Sequence, residues 1–365
     1  MSVIVGFGTA VPAFGIDQMK IHAFMDNVFT GDDNERRRLK LLYERSGISR
    51  RYAAIPDYDI AAERHLYPGT PDLEPFPSLE QRMKIYRQSA APLAEQAIHN
   101  LTGNTTANLD GITHLVTVSC TGMSAPGLDL ELVERLGLPK HVHRTSVNFM
   151  GCYAAVHALK MADAFCNSSP NAKVLVVCVE LCTLHFQKKQ DYDNLTANAI
   201  FGDGAAACLV VSNELKETYA GKQFSINNFY AEVQAGGKND MAWELSSSGF
   251  LMTLSAYIPQ LVEANMEELL HNALRAAGMK RKEIGAWAIH PGGRKILEAV
   301  SARLGLEREA LRHAYTVLND YGNMSSATIL FVLQRVLADE TLSGNIFGAA
   351  FGPGLTMETF LLHKS

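Results

Sequence analysis

The spacing of apolar and polar positions divides the chain into a short head and two longer stretches with a common rhythm. Residues 1 to about 84 read as one strand, a helical stretch over 17–28, a basic helix over 34–46 and a Pro-rich, acidic loop over 56–77. From residue 85 the period switches between that of a strand and that of a helix. It predicts helix 89–101, strand 114–119, helix 129–136, strand 144–149, helix 152–166, strand 173–179, helix 191–200 and strand 205–211. A second series predicts strands 224–233 and 250–253, helix 257–276, strand 287–289, helices 294–304 and 323–337, and strands 345–350 and 355–362. Short apolar strands alternating with helices predict a layered α/β architecture.

Two local echoes suggest a duplication. Gly151-Cys152 and Gly322-Asn323 each precede a predicted helix rich in small residues, and Phe201-Gly202-Asp203-Gly204 and Phe351-Gly352-Pro353-Gly354 each precede a strand. The expectation is two similar halves, 1–220 and 221–365, whose helix tips meet.

Composition narrows the class. The 365 residues are 47% hydrophobic and 19% charged, enough to bury a large core, and 33 Lys and Arg against 38 Asp and Glu give a net charge of −5. That balance argues against nucleic acid as the main partner and leaves only local basic patches. No apolar run approaches the roughly 20 residues of a membrane span. The apolar start lacks the basic residues and cleavage site of a signal peptide, so a cytoplasmic location is the default expectation. The six cysteines show no CxxC pair, which suits reduced thiols, and neither Cys178 with Cys182 nor His141 with His143 makes a zinc pattern.

Three residues carry the candidate chemistry. Cys152 opens a predicted helix, where the positive end of the helix dipole favours thiolate. His290 ends a strand and is followed by Pro291-Gly292-Gly293, a turn that admits a ligand or another backbone. Asn323 offers an amide at the matching helix tip. A Cys, His and Asn set serves either cysteine proteolysis or acyl transfer between thioesters. The residues before Cys152 lack the papain-like Cys-Gly-Ser/Ala signature, which favours acyl transfer.

At Arg144 through Gly151-Cys152-Tyr153-Ala154, Val177-Cys178-Val179-Glu180, Phe201-Gly202-Asp203-Gly204-Ala205-Ala206, His290-Pro291-Gly292-Gly293, Tyr321-Gly322-Asn323-Met324-Ser325-Ser326-Ala327 and Gly352-Pro353-Gly354-Leu355-Thr356, the sequence resembles the chalcone-synthase-like type III polyketide synthases of the thiolase superfamily. The Cys178-Val179-Glu180-Leu181-Cys182 segment is more similar to bacterial members than to plant ones. The resemblance implies a thiolase-like fold of two duplicated halves in five αβαβα layers, the first carrying the cysteine and the second the histidine and asparagine. It implies a thiolate Cys152 paired with imidazolium His290 that accepts an acyl group from CoA. His290 and Asn323 would receive the thioester oxygen while malonyl-CoA loses carbon dioxide and extends the chain. Ring closure would then release a pyrone, a resorcinol or a related aromatic polyketide.

Only CoA thioesters are implied as substrates, with no metal, flavin or nicotinamide, and a homodimer is expected. Phe201 matches an aromatic gate, and Met252 stands where a second gate Phe is usual. Cys120, Cys182, His185 and Trp243 fall at cavity positions, and Glu180 and Ser325 at polar positions tied to ring closure, with Cys120 replacing a hydroxyl there. Ala125 replaces a Met that reaches into the neighbouring subunit. Arg38 and Arg45 match two of three CoA-contacting cations, Leu41 occupies the third position, and Gly292, Gly293, Arg294 and Lys295 flank the same path. Two alternatives stay open: a β-ketoacyl carrier-protein synthase making a single condensation, whose usual His-Gln-Ala-Asn and Gly-Asn-Thr-Ser motifs are absent, and a non-catalytic thiolase-fold partner subunit.

Overall fold

A computed structural model describes residues 2–29, 31–104 and 108–365. In chain order its elements are β1 (Ser2–Ala10), β2 (Phe14–Asp17), α1 (Gln18–Val28), α2 (Asp33–Glu44), β3 (Arg50–Ala53), α3 (Leu79–Asn104), β4 (His114–Ser119), α4 (Leu128–Leu136), β5 (His143–Asn148), α5 (Ala154–Ser168), β6 (Lys173–Leu181), α6 (Tyr192–Ile200) and β7 (Asp203–Ser212). There follow β8 (Phe224–Val233), β9 (Met241–Ser246), β10 (Gly249–Leu254), α7 (Ile258–Ala276), β11 (Ile284–Ile289), α8 (Arg294–Leu304), α9 (Arg312–Tyr321), α10 (Thr328–Ala338), β12 (Gly344–Gly352) and β13 (Thr356–Lys364).

Nine strands form one sheet in the order β11-β12-β13-β8-β1-β7-β6-β4-β5. Its two wings join through a short antiparallel pairing of β1 with β8, from Ser2 opposite Ile226 to Ile4 opposite Phe224. β6 and β7 are buried along almost their whole length, as strands covered on both faces must be. On one side α3 packs against β1, β6 and β7. Between the wings lie α5, which touches β6, β7 and β13, and α10, which touches β1, β7 and β11. Beyond the second wing α7 packs on β8. The layers therefore run helix, sheet, helix, sheet, helix.

Most predicted elements are present with small shifts at their ends. α3 starts at Leu79, ten residues before the predicted start at 89, because its first turns are charged and one of those charges, Arg82, is fully buried. Such a residue hides the apolar period. β9 and α9 were not foreseen from the pattern. β9 is half-exposed and gains its order from the hairpin with β10, and α9 buries only Ala314, Val317 and Leu318. Among the described residues no helix is long and apolar enough to cross a membrane.

Candidate active site

The nucleophile candidate sits in a tight turn between β5 and α5. Gly151 has a φ of +81°, and a Cβ there would lie 2.1 Å from Pro353 Cδ. Only glycine fits that approach. The Gly151 N–H donates to Cys120 Sγ at 3.0 Å, so the turn is held from two sides. Cys152 follows and precedes α5 by two residues, rather than opening the helix. Two non-glycine residues with positive φ stand close by in sequence to site residues, Phe149 (58°) and Ser325 (47°), and such strain is often concentrated at functional sites.

His290 immediately follows β11. Its backbone N–H donates to Ala349 O at 2.8 Å, and its carbonyl accepts from Gly292 N at 3.0 Å, which fixes the turn. The imidazole is buried, and neither ring nitrogen has a hydrogen-bond partner among the described residues. Asn323 is held more tightly. Its Oδ1 accepts from Ser325 N at 2.9 Å and its Nδ2 donates to Gly292 O at 3.1 Å, which orients the amide and leaves one N–H of Nδ2 for another acceptor. Asn323 lies five residues before α10, in a bridge with Phe201, and not at a helix tip. The Cys152 thiol faces Ser325 Oγ at 3.6 Å.

Cys152, His290, Asn323 and Ser325 line one cavity of about 680 Å³. Cys120, Cys182, Phe201, Trp243 and Met252 also line it, as do Arg38, Leu41, Arg45, Gly292, Gly293, Arg294 and Lys295. Cys120, Cys182, His290, Asn323 and Ser325 are buried and Cys152 is half-buried, whereas Arg38 and Arg45 are exposed. No ion pair occupies either arginine among the described residues, unlike Arg294, which meets Glu298 at 2.7 Å. Trp243 and Met252 stand opposite each other in the β9–β10 hairpin. The indole Nε1 donates to Cys120 O at 2.7 Å, so Trp243 forms a fixed wall.

Two predicted contact residues lie behind the wall. Glu180 is fully buried and outside the cavity lining. Its carboxylate accepts from Cys120 N at 3.0 Å, Thr121 Oγ1 at 2.9 Å and Ser326 Oγ at 2.5 Å. His185 is also outside it, stacked on Phe250 at 4.2 Å. Its Nδ1 accepts from Phe250 N at 3.1 Å, which leaves Nε2 to donate to Thr121 O at 2.7 Å. Both brace the site through Thr121, a residue the sequence reading missed although it adjoins Cys120.

Burial dominates the electrostatics. It pushes the Cys152 thiol up to about 11, against the weaker pull of Ser325, Asn323 and the Cys152 backbone N–H. It pushes His290 down to about 3. Burial thus works against charge on either member of the thiolate–imidazolium pair expected from the sequence. Burial likewise raises Glu180 to about 7, although its three donors oppose this.

Residues 1–214 match chalcone and stilbene synthases, N-terminal domain, and residues 226–365 match chalcone and stilbene synthases, C-terminal domain. The chain belongs to the chalcone and stilbene synthase family. It is 31% identical over 98% of its length to Probable polyketide synthase 1 of Dictyostelium discoideum, of which it spans only 11%. To the alpha-pyrone synthesis polyketide synthase-like Pks18 of Mycobacterium tuberculosis it is 29% identical, covering 99% of this chain and 91% of that one. Its fold matches the C-terminal type III polyketide synthase domain of Steely1, a type I/III hybrid from Dictyostelium, with a TM-score of 0.90, 28% identity and 99% of each chain covered. By family it is a type III polyketide synthase with the thiolase-like fold, an acyltransferase. Enzymes of this class take acyl-CoA and malonyl-CoA.

Proposed function

We propose that this chain loads an acyl group from CoA onto Cys152 and extends it repeatedly with malonyl-CoA, then cyclises the product to a pyrone, a resorcinol or a related aromatic polyketide. The observation that carries the reading is a cavity lined by Cys152, His290 and Asn323 and also by the exposed cations Arg38 and Arg45, neither of which has an ion-pair partner among the described residues. It suits a thioester with a phosphorylated tail.

In the first step the Cys152 thiol gives its proton to neutral His290 as sulfur attacks the acyl carbon. The oxyanion is met by imidazolium N–H and by the remaining Asn323 N–H. Collapse expels CoA, which takes the proton from His290. Malonyl-CoA then binds and loses carbon dioxide. The electrons of the broken C–C bond form an enolate whose oxygen needs the same donors. Its carbon attacks the Cys152 thioester, a C–C bond forms, and the Cys152 sulfur leaves as thiolate and takes up one proton from solvent water, which replaces the charge lost with the malonyl carboxylate. The product, longer by two carbons, is carried by CoA and returns to Cys152 for another round.

At the exposed end Leu41 supplies no charge where the family pattern has one. Arg294 and Lys295 line the same cavity and would complete the phosphate grip, the former with its stem 3.4 Å from the position of a Cβ on Gly47, just after Arg45. Six unpaired cysteines suit a reducing cytoplasm. A homodimer fits the exposed edge strand β5 and the exposed Met123, and two halves, 1–220 and 221–365, fit the break between the two family matches.

Intact-mass spectrometry after incubation with an acyl-CoA tests the loading step. The protein should gain the mass of the acyl group, and Cys152→Ala should gain none. An adduct of equal yield in Cys152→Ala would place the acyl group elsewhere and defeat the reading.

A further inference from the structure

An α-helix leaves the carbonyls of its last turn without intrahelical partners. At the end of α6, directly before Phe201, four successive carbonyls are each satisfied from a different part of the chain. Tyr43 OH, on α2, donates to Asn198 O at 3.2 Å. Gln18 Nε2, on α1, donates to Ala199 O at 2.7 Å. The backbone N–H of Asn323 donates to Ile200 O at 2.9 Å. Arg51 Nη1, on β3, donates to Phe201 O at 2.5 Å.

Arg51 is the hub of this cap. It is 4% exposed, and its Nε also donates to Gln18 Oε1 at 2.8 Å, so it orients the amide that caps Ala199. Its stem fills the space beneath Gly322, where φ is +71° and a Cβ would lie 2.9 Å from Arg51 Cγ and Cδ and 2.7 Å from Ile200 O. That close approach lets the Asn323 N–H reach Ile200 O, and Gly202 N answers with a bond to Asn323 O at 2.9 Å. Phe201 and Asn323 are therefore two sides of one joint, and Arg51 is its floor. A cation is also the side chain best suited to the negative end of a helix dipole.

We propose that Arg51 is a positioning residue for condensation, fixing Phe201 and Asn323 at one mutual spacing through the cap it builds with Gln18 and Tyr43. The proposal rests on the function proposed above, in which Asn323 meets the thioester oxygen and Phe201 borders the path to Cys152. Arg51 touches no substrate and acts through those two residues.

The test is the kcat and KM for malonyl-CoA of the full-length protein carrying Arg51→Met or Arg51→Lys, with the folded fraction measured on the same samples by circular dichroism. Displacing a donor by about 1 Å is enough to cost roughly a hundredfold, so Arg51→Met should lower kcat about tenfold to a hundredfold per folded molecule. KM should stay within about twofold because the cations at the cavity mouth are untouched. Arg51→Lys keeps the charge and one bond, and should recover part of the lost kcat. Unchanged kcat in folded Arg51→Met, or Arg51→Lys no better than Arg51→Met, would overturn the proposal.

If Arg51→Met does not fold, Tyr43→Phe decides. It removes one bond of the cap and keeps the buried cation, and should lower kcat about threefold at constant KM. An unchanged kcat there overturns the proposal. A wild-type protein that forms no extended product overturns the parent reading and this one with it. An active wild type with insensitive variants overturns this one alone.

Discussion

At the scale of the residue, Cys152 and His290 show how far local sequence carries. Residue type and the glycine turns around them revealed both as candidates, but their protonation did not follow from position. Cys152 stands two residues ahead of α5, burial of the sulfur is the largest influence on its thiol, and depth of burial is a tertiary property. If ionisation arises only by proton transfer within the pair, removing the imidazole should silence the thiol. His290→Gln should therefore lower the rate of Cys152 alkylation by iodoacetamide near pH 7.5 about tenfold or more, measured by intact mass. Equal rates in the two proteins would show that Cys152 ionises without His290. Glu180 and His185 teach the complementary lesson. Their residue types matched a polar cavity wall, but their side chains are consumed by Thr121, Cys120, Ser326 and Phe250 one layer back, and nothing in the local pattern reveals which way a strand residue points.

At the scale of the element, α2 was legible because its charge and its length are local. Asp32 and Glu35 form a capping box at its start, and Arg38 and Arg45, seven residues apart, share the face that lines the cavity. Exposed cations bind phosphates weakly and are screened by salt. Arg38→Gln and Arg45→Gln should each raise KM for malonyl-CoA about threefold to tenfold with little change in kcat, and the effect should shrink at high ionic strength. A fall in kcat at constant KM would place these arginines in the chemistry instead. Elements that draw their order from tertiary contacts were harder to read. The start of α3 was hidden by buried Arg82, whose Nη1 donates to the Tyr67 hydroxyl at 3.1 Å and to Phe186 O at 3.2 Å and whose guanidinium lies 5.0 Å from the Phe76 ring. β9 depends on its partner strand, and Trp243 became a fixed wall only through a bond to Cys120.

At the scale of the whole molecule, the alternation of strands and helices foretold the layers, whereas the paired Gly-Cys and Gly-Asn turns suggested meeting helix tips and instead stand ahead of α5 and α10. The joining of both wings into one sheet was not legible, because it rests on three residue pairs between β1 and β8. Global stability should register the buried carboxyl at the centre. With Glu180 raised from 4.5 to about 7, the folded state holds a proton that the unfolded state has released across that window. Stability then falls as pH rises from about 4.5 to about 7. Glu180→Gln should flatten that part of the Tm profile, as followed by circular dichroism, and an unchanged slope would contradict the assignment.

The most direct test of the account is product formation by the purified chain alone, given malonyl-CoA and acyl-CoA starters from acetyl to long-chain, with products identified by mass spectrometry beside Cys152→Ala. Starter-dependent pyrones or resorcinols built from several malonyl units, absent in the variant, are expected. Single condensations that require a carrier protein, or activity only with a partner subunit, would contradict it.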